Sequence, residues 1–284
     1  MNILILGAGA LGTLFGARLA ENHLPVSLLS RNREHAQKIR ETGVILQELD
    51  GTRKTVHVPV CCSPEELTAS PDLVLVMVKS YDTQSAVNTI REECHENTIF
   101  LTLQNGIGNR ENIEKHIDAG KILLGTTAQG ATFVGPGEIR HGGNGITVVG
   151  EPDGKDTPRL NDIADIFLRA GLECRTSSCI LDLIWHKLLI NVGINALTAL
   201  LQTQNGWLAR DEEAQKLCVE AVLEAVQVAK ARGISVPENP VQEVFNVAGA
   251  TSTNTSSMLQ DILKGKPTEI DAMNGAIVEI GSDL

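Results

Sequence analysis

The chain has 284 residues, a formal net charge of −11 and a hydrophobic content of 42%. Such a length allows one large or two ordinary domains with a buried apolar core. The acidic balance argues against nucleic acid or an anionic membrane as a partner, so an anionic ligand must be met by local cations and helix ends. The six cysteines have no C-x-x-C spacing and the seven histidines form no H-x-x-x-H pair, so neither a disulfide framework nor a metal site is predicted.

The start of the chain, NILILGAGALGTLFGARLA, has the pattern of a strand, a turn and a helix. Residues 2–6 are typical of a buried strand, and residues 10–20 of a helix. The G-x-G-x-x-G turn between them provides a tight bend, room for a pyrophosphate and close helix packing, and the helix N-terminus favours phosphate. A dinucleotide site is therefore favoured over a purely structural turn, which is the alternative. The predicted cofactor-binding residues are Gly7, Ala8, Gly9, Ala10, Leu11 and Gly12.

The next predicted strand, residues 25–29, indicates which dinucleotide binds. An Asp or Glu at its end would bind a ribose 2′-hydroxyl, but the chain has Ser30 and Arg31 there. A guanidinium suits a 2′-phosphate, so NADPH is the predicted cofactor. The alternative is that Arg31 and Arg33 are solvated loop cations.

The rest of the first half predicts a doubly wound sheet. Residues 43–60 alternate around Asp50-Gly51, as a hairpin does, and the apolar runs within 71–80 and 97–106 are typical of parallel strands covered on both faces. We expect residues 122–150 to form short antiparallel strands that close this domain, followed by a helix over 158–170 and a strand over 172–175. The predicted first domain is residues 1–177.

Beyond residue 177 the strand patterns stop. Helical periodicity over 180–201, 212–232, 240–247 and from 273 onward predicts an all-helical domain over residues 178–284. The segment 180–201 has the length of a membrane span, but its polar residues would be costly in lipid, so a buried central helix with a polar seam is expected. After the last predicted helix the chain has little length left for a further element. Whether the C-terminus is truncated is an alternative that we leave open.

Polar residues follow two of the predicted strands of the first domain. Lys79 ends VMVKS, and Gln104 and Asn105 end LTLQN. The carboxyl ends of strands line the ligand crevice of a doubly wound sheet, so these side chains are expected near the nicotinamide. The alternative for Lys79 is a solvated loop cation.

In the second domain, Lys187, Asn191 and Asn195 recur every four residues on an otherwise apolar helix. Buried polar groups need hydrogen-bond partners, so this seam either faces a ligand or ties helices together. Ser256 and Ser257 lie at a predicted helix start, where serines are usually caps. A carboxylate such as Glu269 beside Lys187 would favour its charged form while burial opposes it, which suits a lysine that donates a proton to a ketone.

Together these motifs resemble the ketopantoate reductase family, within the 6-phosphogluconate dehydrogenase C-terminal-like superfamily. The resemblance covers nearly the whole chain and departs at Ala196, where many members carry proline. It implies an α/β Rossmann-like N-terminal domain followed by an all-α C-terminal domain. The motifs in chain order are GAGALG, VKSYDT with Lys79, QNGIGN with Asn105, WHKLLINVGINALTAL with Lys187, Asn191 and Asn195, and TSSMLQDI and TEIDAMNG with Ser257 and Glu269.

The resemblance also implies NADPH-dependent reduction of ketopantoate to (R)-pantoate, on the route to pantothenate and coenzyme A. In the family, the residue matching Lys187 is the general acid and the one matching Glu269 supports it and lies near the cofactor. By the same resemblance, Asn105, Asn191, Asn195 and Ser257 bind substrate, and Arg31, Lys79 and Asn105 contact the cofactor or its surroundings.

Two other functions stay open. A related reductase would act on another branched 2-keto acid, since the carboxylate and ketone are common to all these substrates. A non-catalytic NADP-binding sensor would keep the glycines and Arg31 but lose the acid, so the presence of Lys187 and Glu269 counts against it. No secretory signal precedes the first predicted strand, so a cytoplasmic enzyme with a small-molecule substrate is expected, and a homodimer is left open.

Overall fold

The structure is a computed structural model that describes all residues from 1 to 284, and it divides into two compact units. The first unit comprises residues 1–104 and 109–180, and the second comprises residues 105–108 and 181–284. The division thus falls three residues beyond the predicted end of the first domain, and a short segment of the first half joins the second unit.

The first unit is an α/β structure built on a large, mostly parallel sheet. Eight strands have the order β12-β11-β8-β7-β6-β1-β2-β5, and only the β8–β11 pair is antiparallel. This confirms the predicted doubly wound, Rossmann-like fold. The elements are β1 (Ile3–Leu6), α1 (Ala10–Glu21), β2 (Val26–Leu29), α2 (Arg33–Thr42), β3 (Val44–Gln47), β4 (Arg53–Val56), β5 (Val60–Cys61), β6 (Leu73–Val76), α3 (Thr83–Ile90), β7 (Ile99–Thr102), α4 (Asn109–Glu114), β8 (Ile122–Thr127), β9 (Gly130–Gly135), β10 (Glu138–Gly143), β11 (Thr147–Gly150), α5 (Pro158–Arg169) and β12 (Cys174–Thr176).

The central strands are apolar because both of their faces are covered. Every residue of β1 and β6 is buried. Helices pack on the two faces of the sheet, and Phe15 of α1 meets Phe167 of α5 edge to face with ring centroids 5.6 Å apart. The residues of the continuous apolar runs in the sequence therefore form the core of the first unit.

A second sheet of the first unit extends one sequence prediction. The hairpin β3–β4 forms as expected, but β9 and β10 join it in a four-stranded sheet of order β4-β3-β10-β9. Within residues 122–150, β8 instead extends the large sheet parallel to β7. The predicted short antiparallel strands form, as the pairs β9–β10 and β8–β11 show, but the sequence did not predict that β10 pairs in parallel with β3, far away in sequence, or that these strands divide between two sheets. The alternation of apolar and polar residues within a strand carries no information about which distant strand will pair with it.

The second unit is all helical, as predicted. Its long helix α6 packs closely on two others, since a Cβ on Gly193 would lie 2.8 Å from side-chain atoms of both Val222 and Val244. By length and composition alone α6 could cross a membrane, and half of its apolar window is buried inside the protein; a single helix of this kind is weak evidence for a membrane span, because core helices pass the same test. The helices are α6 (Ile180–Leu201), α7 (Glu212–Ala231), α8 (Pro240–Ala250), α9 (Ser257–Leu263) and α10 (Asn274–Ser282).

Candidate active site

The glycine turn after β1 has a different physical requirement at each of its three glycines. Gly7 has φ +110°, and a Cβ there would lie 2.6 Å from the backbone nitrogen of Val78. A Cβ on Gly12 would collide with the carbonyl oxygen of Gly7, so α1 approaches the turn too closely for any side chain. Gly9 has an ordinary φ of −77°, and a Cβ there would meet nothing within 4 Å. Packing therefore explains Gly7 and Gly12 but leaves Gly9 unexplained.

The N-terminus of α1 has the properties of an anion site. Its N-cap is the exposed Gly9, no side chain caps the first turn, and the first turn has no acidic residue. The first N–H groups of a helix need acceptors and carry a partial positive charge. A phosphate at this position would satisfy both requirements. Ala8 and Gly12 are buried beside the turn, and Ala10 and Leu11 are half-buried.

The two predicted cofactor cations of the first unit follow β2 and β6, the strands on either side of β1 in the large sheet. Arg31 comes directly after β2 and Ser30, its side chain is 71% exposed, and its guanidinium forms an ion pair with Asp82. Lys79 follows β6 and is half-buried at the start of a single 3-10 turn, Ser80–Asp82. No Asp or Glu directly follows β2 in the chain, where a carboxylate would occupy the ribose position.

Gln104 has a structural role that sequence reasoning missed. Its amide nitrogen donates hydrogen bonds to the carbonyl oxygen of Val78 at 2.8 Å and to the Thr83 hydroxyl at 2.7 Å. The side chain therefore ties the end of β7 to the loop after β6, which carries Lys79. A polar residue at a strand end is an ambiguous signal, because the same pattern would suit a ligand contact.

Asn105 lies in the segment that belongs to the second unit. There Ile107 donates a backbone hydrogen bond to the carbonyl oxygen of Ala272 at 3.0 Å, and a Cβ on Gly106 would collide with that same oxygen. Gly106 also has φ +77°. The close approach holds the half-buried Asn105 near the stretch that follows Glu269.

In the second unit, Lys187 and Glu269 lie close enough to interact. Glu269 is buried with 6% exposure, in the turn that precedes α10. Burial of the Lys187 ammonium lowers its pKa to about 8, and the nearby Glu269 carboxylate opposes that shift. A lysine with a pKa lowered in this way, held beside a carboxylate, is suited to give up a proton during a reaction.

The other polar residues of α6 differ in their burial and in their contacts with the rest of the protein. Asn195 is buried, and its amide contacts the Met273 sulfur at 3.6 Å. Thr198, three residues further on, donates to the Ser256 hydroxyl at 2.8 Å. Asn191 is half-buried. The seam therefore ties helices together at its far end, near Asn195 and Thr198.

The two serines at the start of α9 divide their roles. Ser256 is buried and is the N-cap, and its hydroxyl accepts a hydrogen bond from the backbone N–H of Leu259 at 3.2 Å. Ser257 is the first residue of the helix and is half-buried. Because Ser256 does the capping, Ser257 is not needed for that purpose.

These features define a class of protein: an oxidoreductase with a dinucleotide-type α/β unit and an all-helical unit that carries a lysine–glutamate pair. The family models agree with this class. Residues 3–154 match the model described as ketopantoate reductase PanE/ApbA, and residues 179–284 match its C-terminal model. The chain belongs to the ketopantoate reductase family.

Individual relatives cover the full chain. A 2-dehydropantoate 2-reductase of Halobacterium salinarum is 39% identical over 283 residues, covering 100% of this chain and 93% of the relative. The crystal structure of a PanE/ApbA family ketopantoate reductase from Ralstonia eutropha has a TM-score of 0.92 at 32% identity, covering 100% of this chain and 92% of that one. D-mandelate dehydrogenase, solved with NADH and anilino(oxo)acetate, has a TM-score of 0.91 at 28% identity, with coverage of 100% and 92%.

Proposed function

We propose that this protein is an NADPH-dependent 2-dehydropantoate 2-reductase, which reduces ketopantoate to (R)-pantoate for pantothenate and coenzyme A biosynthesis. The observation that carries the proposal is the Lys187–Glu269 pair within a chain similar over its full length to 2-dehydropantoate 2-reductases. We place the enzyme in the cytoplasm with a small keto acid as its substrate.

Lys187 is the general acid in this proposal. Its ammonium donates a proton to the C2 oxygen of the keto acid as negative charge develops there. Glu269 keeps the ammonium charged against the cost of burial, because the carboxylate raises the pKa that burial lowers. Asn105, Asn191, Asn195 and Ser257 hold the hydroxyl and carboxylate groups of the substrate, and each offers a neutral hydrogen-bonding group for that purpose.

The residues of the first unit fit a dinucleotide. The open space at Gly9 and the uncapped N-terminus of α1 suit a pyrophosphate, and Arg31 suits a 2′-phosphate. When bound, NADPH supplies the hydride that reduces the C2 carbonyl carbon. We assign cofactor binding to residues 1–177, with Lys79 and Asn105 near the nicotinamide end, and substrate binding and proton donation to residues 178–284.

A second candidate function is the reduction of another branched 2-keto acid. The observation that favours it is the structural similarity to D-mandelate dehydrogenase at a TM-score of 0.91. That structure contains NADH, so the similarity also makes NADH the competing cofactor. A non-catalytic NADP-binding sensor would have no use for a lysine with a pKa near 8 beside a buried glutamate.

Steady-state kinetics followed at 340 nm test the proposal. We expect kcat/KM for ketopantoate with NADPH to exceed that for 2-ketoisovalerate or phenylglyoxylate by about 10² or more, since a site built to bind the substrate hydroxyl rejects analogues without it. A preference for phenylglyoxylate would favour the second candidate. Binding of NADPH without turnover of any keto acid would favour the sensor.

A further inference from the structure

Arg31 and Asp82 form an ion pair that no fold requirement explains. Both residues lie in the first unit, and the Asp82 side chain is 21% exposed while that of Arg31 is 71% exposed. An exposed pair of this kind contributes little to stability, because solvent screens it and both side chains lose freedom. The position of the ion pair, rather than its small contribution to stability, therefore indicates its role.

Asp82 is placed to cap a helix, but its side chain does not do so. It is the N-cap residue of α3, where an Asp side chain usually accepts a hydrogen bond from the first turn of the helix. Here the side chain makes no capping hydrogen bond. Its carboxylate is directed to Arg31 instead.

The sheet order shows what the ion pair crosses. Strands β6, β1 and β2 are parallel neighbours in that order, so their carboxyl ends share one edge of the sheet. Arg31 follows β2, and Asp82 lies in the segment after β6. Strands two positions apart are separated by about 10 Å. The ion pair therefore bridges the end of β1, where the glycine turn begins.

We propose that Asp82 is a cofactor-specificity residue that competes with the 2′-phosphate for Arg31. The inference rests on the proposed NADP site. In the structure the Asp82 carboxylate holds the Arg31 guanidinium across the glycine turn. A 2′-phosphorylated nucleotide binds by replacing the carboxylate as the partner of Arg31, and a nucleotide with a 2′-hydroxyl has no comparable group to offer.

Two electrostatic effects follow from this exchange of partners. The phosphate must displace an existing ion pair, and after it binds, the Asp82 carboxylate is left near a group that carries up to two negative charges. Both effects weaken binding of NADPH relative to NADH. Asp82 thus limits the preference for NADPH over NADH that Arg31 creates. Replacement of Asp82 should increase that preference.

The experiment compares two probes that differ only in the 2′-phosphate, adenosine 2′,5′-bisphosphate and adenosine 5′-monophosphate, by calorimetry on the full chain. For Asp82→Asn we expect the bisphosphate to bind about three- to tenfold more tightly, from loss of one exposed ion pair and one nearby charge. The monophosphate affinity should change less than twofold. The difference between variant and wild type should shrink as salt is raised, because the interactions are exposed.

The matched control is Glu138→Gln, which removes the same charge from another exposed ion pair of the first unit, that with Arg53. It should leave both affinities unchanged, and equal gains in the control and in Asp82→Asn would attribute the effect to net charge and overturn the proposal. Unchanged or weaker bisphosphate binding by Asp82→Asn would also overturn it.

Arg31→Ala separates failure of the inference from failure of the proposed cofactor. If Arg31→Ala weakens the bisphosphate but Asp82→Asn does not strengthen it, the NADP site stands and the role of Asp82 is rejected. If the wild-type protein binds both probes equally, the choice of NADPH is itself wrong. The inference then falls with it.

Discussion

At the scale of single residues, Lys187 determines whether the proposed chemistry is feasible. An ordinary lysine has a pKa near 10.5 and holds its proton too tightly to release it readily at neutral pH. Burial lowers the pKa of Lys187 to about 8, and Glu269 prevents a larger shift. The pair therefore keeps the ammonium mostly charged at pH 7 while making its proton easier to transfer.

Replacement of Lys187 tests its role as the acid. We expect Lys187→Ala to lower kcat/KM for ketopantoate by about 10² to 10⁴, the usual contribution of a general acid, with NADPH affinity little changed. The control is Lys216→Ala, which removes an exposed lysine that pairs with Glu213 on α7. Turnover of Lys187→Ala near the wild-type value would show that another group donates the proton.

The pH dependence tests the interaction between the two residues. The acid must be protonated, so kcat/KM for reduction should be level below about pH 8 and fall tenfold per pH unit above it. Because Glu269 raises the Lys187 pKa, Glu269→Gln should move this break to lower pH. Glu213→Gln, on the exposed surface of α7, should leave it in place. An unmoved break in Glu269→Gln would contradict the pairing.

At the scale of elements, the glycine turn and α1 separate packing from ligand binding. Gly12 lets α1 pack against the carbonyl oxygen of Gly7, whereas Gly9 faces open space. The two glycines belong to one motif but have different physical reasons to be glycine. Sequence alone assigns the motif, and the structure distinguishes its members.

We expect two alanine variants of this turn to have different defects, one in stability and the other in NADPH binding. Gly12→Ala should lower the free energy of unfolding by about 1–3 kcal/mol, because its Cβ meets backbone that cannot move aside. Gly9→Ala should change stability by less than about 1 kcal/mol yet weaken NADPH binding at least about tenfold, since its methyl group would occupy the space that we propose for the pyrophosphate. Urea denaturation and fluorescence titration measure the two quantities. Normal NADPH affinity in Gly9→Ala would place the phosphates elsewhere.

A buried histidine links α1 to two other elements of the first unit. His35 is fully buried on α2, and its Nδ1 accepts a hydrogen bond from the Gly137 backbone N–H at 2.9 Å. Its other ring nitrogen must then carry the proton, and it donates to the Thr13 hydroxyl of α1 at 3.1 Å. Burial lowers the pKa of His35, so the neutral ring is the form that fits this site.

At the scale of the whole molecule, charge determines how stability responds to pH. Glu48 accepts hydrogen bonds from both terminal nitrogens of Arg18, at 2.6 and 2.7 Å, and also pairs with Lys54. The Arg18 hydrogen bonds are the main reason that the Glu48 pKa falls to about 2. Its contribution to stability is complete above the unfolded pKa of about 4.5 and is lost as the pH falls toward 2.

Acid should therefore destabilise the protein in two stages. Burial lowers the pKa of His35 and His141, so the unfolded chain takes up protons that the folded chain does not once the pH falls below about 6.5. Loss of the Glu48 contribution follows below about pH 4.5. We expect Glu48→Gln to lower the free energy of unfolding by about 1–3 kcal/mol at pH 7.5, the cost of losing charged hydrogen bonds, and by about half as much at pH 3, since the folded pKa is about 2.

Urea denaturation followed by circular dichroism at several pH values measures this profile. Glu138→Gln, in the exposed ion pair with Arg53, is the control and should cost less than about 1 kcal/mol at either pH. An equal loss at pH 7.5 and pH 3 for Glu48→Gln would mean that the carboxylate charge is not what stabilises this region.

The sequence by itself determined the features that depend on local spacing. The glycine turn, the parallel strands, the hairpin at Asp50-Gly51 and the helices of the second unit all follow from patterns a few residues long. The family was also identifiable, because its motifs occur in order along the chain. Local patterns suffice here because strand and helix formation are set by neighbours in sequence.

The tertiary structure alone decided which distant residues meet. The parallel pairing of β10 with β3, the use of Gln104 to tie two loops and the ion pair between Arg31 and Asp82 each join segments at least 21 residues apart. The lowered pKa of Lys187 likewise depends on what surrounds its ammonium, including a glutamate 82 positions later. Burial and electrostatic interaction depend on distance in space, which residue spacing does not encode.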